Sequence, residues 1–129
     1  DIKKLAESCY VCNKIDWAMQ RMYETIFKLC LKEESFRQLY SEQPVICLEH
    51  YAQLASLAVE KLGKKNAPAF LEVTEKLSRK YLDEVQADVS HFCKMFDYRN
   101  SGPNADWGNS RDSIERAIWY LTSRHPDER

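Results

Sequence analysis

One apolar stripe limits most severely what this chain can fold into. Phe70, Val73, Leu77, Tyr81, Val85, Val89, Phe92 and Phe96 recur at three- and four-residue steps and hold one face of a helix over about seven turns. No glycine or proline falls between Ala69 and Asn100. A sheet of alternating residues needs frequent turns, and three glycines and four prolines in the whole chain are too few for them. The spacing therefore predicts an all-α fold.

Shorter stripes fill in the rest. Ile15, Met19, Met22, Ile26, Leu29 and Cys30 predict a helix over about 13–33. Ser35 begins a short one carrying Phe36, Leu39 and Tyr40, which must stop before Pro44 because a residue preceding proline is pushed out of the helical region. A third opens at or just before Cys47, presents Tyr51, Leu54, Leu57, Ala58 and Leu62, and ends at Gly63 as a left-handed cap. Asn66 is the expected N-cap of the long helix, with Pro68 in its first turn. Asn100-Ser101-Gly102-Pro103 ends it. A last helix is capped by Ser110 or by Asp112, whose spacing to Glu115 resembles a capping box; it buries Ile114, Ala117, Ile118 and Leu121 and stops at Pro126. The opening stretch, 1–8, is short and weakly amphipathic. Residues 1–129 are read as one domain, a bundle of four to five helices.

Nineteen basic residues against twenty acidic ones leave no basic stripe, so nucleic acid is not an expected partner. The runs Lys61–Lys65 and Arg111–Arg116 read as solvated surface. No apolar run approaches the ~20 residues of a membrane helix, and no signal-peptide pattern opens the chain. A cytoplasmic protein is expected. The first residue is Asp rather than Met, which suggests a processed product or a piece of a longer protein.

Five cysteines, an odd number, argue against a complete disulfide framework. Cys9-Tyr10-Val11-Cys12 precedes one helix and Cys47-Leu48-Glu49-His50 opens another, at matched spacing. Residues three apart on a helical turn share a side, and helix N-termini favour the thiolate that ligates metal. Cys9, Cys12, Cys47 and His50 thus form a Cys₃His set suited to one structural Zn²⁺ ion, closed to substrate by its four protein ligands. A disulfide or redox dithiol, an iron–sulfur cluster and plain core thiols are the alternatives. Cys30 and Cys93 fall on apolar helical faces and read as small buried hydrophobes; His91 and His125 have no metal-like partner nearby in sequence.

A second candidate site is the loop that holds Asp97, Arg99, Asn100, Trp107 and Ser110. It leads into a helix N-terminus where an anion can sit, with Arg99 as a bidentate clamp. On the structural alternative, Asn100 caps a helix, Trp107 plugs the gap between the last two helices, and Arg99 pairs with Asp106 or Asp112. No catalytic triad, carboxylate pair or phosphate-cradling glycine loop is recognisable.

Ser8-Cys9-x-x-Cys12, Phe36, Ile46-Cys47-x-x-His50-Tyr51, Phe96-Asp97-Tyr98-Arg99-Asn100 and Trp107-Gly108-x-Ser110-x-Asp112 together resemble an uncharacterised bacterial family of unknown function, mostly from anaerobic Gram-positive lineages. The resemblance covers essentially the whole chain and implies the C-terminal half of a longer protein whose upstream half carries a similar C-x-x-C and C-x-x-H. Asp106 stands where that family usually has proline. The resemblance implies fold and metal ligands and no reaction. The expected function is a non-catalytic interaction or assembly module whose partner is the upstream half or another protein subunit. A small-molecule or anion-binding protein using the 97–112 loop, and a redox or metal sensor using Cys9 and Cys12, are the alternatives.

Overall fold

A computed structural model describes residues 2, 8–100, 102 and 105–124; the expectations for residues 1 and 3–7, Ser101, Pro103, His125 and Pro126 lie outside them. All regular structure among the described residues is helical: α1 (Tyr10–Lys32), α2 (Glu34–Ser41), α3 (Leu48–Met95) and α4 (Ser113–Thr122).

A single extended residue, Glu33, ends α1 and starts α2. Arg37 of α2 reaches back, donating to the Cys30 carbonyl at 2.8 Å and pairing with Glu34. This satisfies one of the carbonyls that a helix end leaves without an intrahelical partner.

Gly63 divides α3 into arms 48–62 and 64–95, with φ 73° and ψ 164°. This is not the left-handed cap expected from the sequence but a region almost closed to any residue bearing a Cβ. The bend there is sharp. Cys47, at the start of the first arm, contacts Ser123 at 2.8 Å, while Ser78 of the second arm contacts Tyr120 at 2.8 Å. A straight helix would hold positions 47 and 78 about 46 Å apart. Here two residues one turn apart near the end of α4 touch both, so the arms fold back on each other. The small side chains of Ala58 and Ala67, both fully buried, flank the bend and let the arms approach. Asn66, expected to cap the second arm, instead donates its side-chain amide to the Leu62 carbonyl at 3.2 Å and so closes the first.

The core lies between α1, α2 and the two arms. Tyr23, Phe27, Tyr40, Leu54, Leu62, Phe70 and Leu77 are its large members. Phe70 meets Phe27 edge-on at 5.1 Å and stacks on Tyr40 at 5.3 Å. The Tyr40 hydroxyl bonds Thr74 Oγ1 at 2.9 Å, and Thr74 donates to the Phe70 carbonyl, so these two buried hydroxyls are satisfied.

α4 lies on the second arm with a different face inward than its periodicity predicts. Ser113 and Tyr120 are buried, whereas Ile114, Ile118 and Leu121 are exposed. The rings of Tyr81, Trp119 and Tyr120, the Tyr120–Ser78 bond and the Arg116–Asp88 ion pair at 2.8 Å fix this orientation. The expected capping box is not formed: Asp112 makes no cap bond and accepts from Arg116 at 3.0 Å instead. Cys93 is exposed rather than buried, and Phe96 is exposed too; Cys30 is half-buried, and burial pushes its thiol pKa up.

Candidate metal centre

The two cysteine-bearing motifs adopt the same local geometry. Cys9 and Cys47 are the extended N-cap residues of α1 and α3, with φ/ψ of −112°/120° and −68°/160°. Cys12 and His50 occupy the third helical position that follows each. An N-cap side chain points back toward the first-turn N–H groups, and the residue three further on rises on the same side. Each motif therefore presents a matched pair of donors.

In the second pair, Cys47 Sγ lies 2.9 Å from His50 Nδ1 and 2.8 Å from Ser123 Oγ. Two corners of a tetrahedral zinc site, with Zn–S about 2.3 Å and Zn–N about 2.0 Å, stand roughly 3.5 Å apart, so a small side-chain adjustment converts this contact into two ligands. In the first pair, Cys9 and Cys12 are exposed free thiols, hydrogen-bonded to each other. The Cys12 backbone N–H, foremost, holds the Cys9 thiol pKa below its ordinary value, while the bond to Cys9 and the charge there raise that of Cys12.

The pairs do not meet. Among the described residues, no group of three or more His, Cys, Asp and Glu side chains is placed to hold a metal ion. The reason is a matter of helix length. Tyr23 packs edge-on against His50 at 6.3 Å, and Cys12 lies on the same face of α1 but eleven residues earlier, about 16 Å along the axis. Each pair fits half of a zinc site; within one chain the halves are separated.

Cys47 and His50 stand in the wall of a groove of about 400 Å³, lined by Met19, Met22 and Ile26 of α1, Leu39 of α2, and Ile46 and Trp119. The buried Tyr23 hydroxyl borders the same groove and has no hydrogen-bond partner. Burial first, then the neighbouring Cys47 and Glu49, push its pKa up. Tyr23 and Ser123 were not legible as site residues. Tyr23 reads as one more aromatic on a helix, and Ser123 reaches Cys47 across 76 positions through a left-handed helix end at φ 56°.

The residues of the 97–112 loop are engaged internally. Arg99 pairs with Asp97 at 2.6 Å, not with Asp106 or Asp112, and its bonds lower the Asp97 pKa. The guanidinium lies over the ring of Tyr98 and remains largely exposed. Asn100 caps the second arm of α3 by donating to the Lys94 carbonyl at 2.8 Å. Trp107 plugs between Phe92 and Phe96, with ring centres 5.8 and 5.9 Å away. Ser110 is fully buried and donates to the Trp107 carbonyl at 2.6 Å. His91 bonds the Asp106 carbonyl at 2.9 Å. These groups shape a corner of the fold and do not converge on one point.

A small helical protein with two cysteine-led helix starts is the class that this geometry defines. More particularly, the chain belongs to a family of unknown function, DUF6062, whose model matches residues 1–128. No curated protein and no solved structure matches it. Among the described residues, no helix is long and apolar enough to cross a membrane.

Proposed function

We propose that the chain is a non-catalytic, zinc-stabilised helical module that assembles with another protein chain, with Cys9, Cys12, Cys47 and His50 as its metal-binding side chains. The observation that carries this reading is the state of α1. Its residues 10–18 are exposed on every side, yet Val11 and Ile15 continue toward Met22 an apolar stripe that is 61%, 55% and 58% exposed at these positions. The stripe runs straight into the groove beside Cys47 and His50. Large apolar side chains gathered along one helix edge mark a surface that another chain covers. The exposed Ile114, Ile118 and Leu121 edge of α4 supports the same reading.

The test is elemental analysis and thermal melting of the purified chain and of Cys47→Ser. The wild type carries zinc, and the variant loses zinc content and melting temperature together. Unchanged zinc content in the variant overturns the reading. One observation favours a second reading, a redox sensor: Cys9 and Cys12 are exposed free thiols, hydrogen-bonded to each other and asymmetric in acidity. It requires a reversible Cys9–Cys12 disulfide in the zinc-free protein, which thiol titration after mild oxidation detects.

A further inference from the structure

We propose that the metal site is completed between two copies of this chain, Cys9 and Cys12 of one joining Cys47 and His50 of the other. The inference rests on the zinc-stabilised assembly reading above and names its partner. Zinc in a structural site takes four protein ligands. Each chain holds two pairs of donors, each pair shaped for two corners, and α1 sets Cys12 about 16 Å along its axis from Tyr23, the residue packed on His50. A second copy resolves the mismatch without distorting either pair.

The geometry of α1 says how the copies meet. Cys12, Ile15, Met19, Met22 and Ile26 share one face of the helix. The level midway between positions 12 and 23 falls at Trp17 and Ala18, within the exposed part of the helix. Two α1 helices packed antiparallel about a twofold axis at that level therefore set Cys12 of each chain opposite Tyr23 of the other. Tyr23 is the residue whose ring touches His50 and whose hydroxyl lacks a partner. Val11 and Ile15 then enter the groove bordered by Met22, Ile26 and Leu39. The contact is isologous, so it closes on itself and yields two identical sites per pair of chains. Binding at each site ionises the coordinating thiols and releases their protons to solvent, with no change of oxidation state.

Complementation tests it. Cys9→Ser/Cys12→Ser keeps only the Cys47–His50 half, and Cys47→Ser/His50→Ala keeps only the other; each alone holds no zinc. Mixed in equal amounts, unfolded and refolded together, they regain about a quarter of the wild-type zinc per chain, because random pairing makes half the dimers mixed and each mixed dimer has one intact site. Circular dichroism verifies that both variants are helical. Cobalt(II) titration of the wild type needs no variant: a shared site loads more weakly as the protein is diluted, with cobalt bound and dimer lost together in sedimentation. A wild type that holds zinc while the mixture regains none, or whose cobalt affinity is independent of protein concentration, overturns the shared site and leaves the zinc-stabilised module standing. A wild type without zinc removes both. Zinc retained by Cys47→Ser/His50→Ala overturns the shared site in favour of two C-x-x-C pairs on one ion.

Discussion

Replacing Gly63 by alanine tests the fold-back on which the groove depends. The backbone there has φ 73° and ψ 164°, and a Cβ built on it meets nothing within 4 Å. Any cost therefore comes from the backbone and not from a clash. Residues with a Cβ in this region are strained by about 1–3 kcal/mol, and the lost freedom of glycine in the unfolded chain offsets roughly 0.4–1 kcal/mol of that. A net destabilisation of about 1–2 kcal/mol follows. With a urea slope of about 2 kcal/mol per molar, the unfolding midpoint falls by roughly 0.5–1 M. The assay is urea unfolding followed by circular dichroism. Gly63→Asn supplies the control: asparagine relieves strain in an ordinary left-handed cap, where ψ is small, but not at ψ 164°, so it should cost as much as alanine. A neutral or stabilising alanine, or an asparagine that matches glycine, refutes the bend. Residues 48–95 would then form a helix that cannot bring Cys47 and Ser78 to the same turn of α4.

Two further perturbations separate surface from core and measure burial. Ile15→Glu changes the stability of the isolated monomer by no more than about 0.5 kcal/mol, because Ile15 is 55% exposed, whereas Leu54→Ala, at 3% exposure, costs about 2–5 kcal/mol in the same urea assay. Equal effects would mean that α1 is packed otherwise. Burial pushes the Tyr40 pKa from 10 up to about 12 against the opposing Thr74 bond, so the folded state prefers the neutral phenol. Stabilisation from this preference is complete below pH 10 and lost as pH rises through 12, a total of about 2–3 kcal/mol. Tyrosinate absorbance during alkaline titration should show Tyr40 ionising with the unfolding transition, and early ionisation in a folded protein would contradict it.

The helices were readable because period and punctuation agree. The 70–96 stripe, the stop before Pro44 and the break at Gly63 each rest on a local rule, and the described helices follow them. The orientation of helices was less readable. Ile114, Ile118 and Leu121 look like an inward face by hydrophobicity, yet Tyr120 turns inward because Ser78 offers its hydroxyl a partner and Tyr81 stacks against it. α1 shows the same limit: Ile15 and Met22 belong to the apolar pattern, but the body of the fold reaches only as far as Tyr23 and Phe27 on that helix, with Met19 and Ile26 at its edge. In the candidate site, spacing revealed each donor pair, since N-cap and third helical position are local. Whether pairs meet depends on helix length and crossing, which spacing does not encode. Arg99 illustrates this at short range, taking Asp97, two residues away, over the Asp106 and Asp112 that lie nearer the next helix.

The Cys47–Ser123 contact spans 76 positions, so it joins the start of α3 to the end of α4. Closing so wide a circuit carries a large entropic penalty, and such contacts are made after the local ones. On a ribosome, the imidazole of residue 50 emerges long before the segment that walls it in. The Cys47 thiol is thereby walled in only once residue 123 has been made, and a product cut short before it would leave that thiol unwalled.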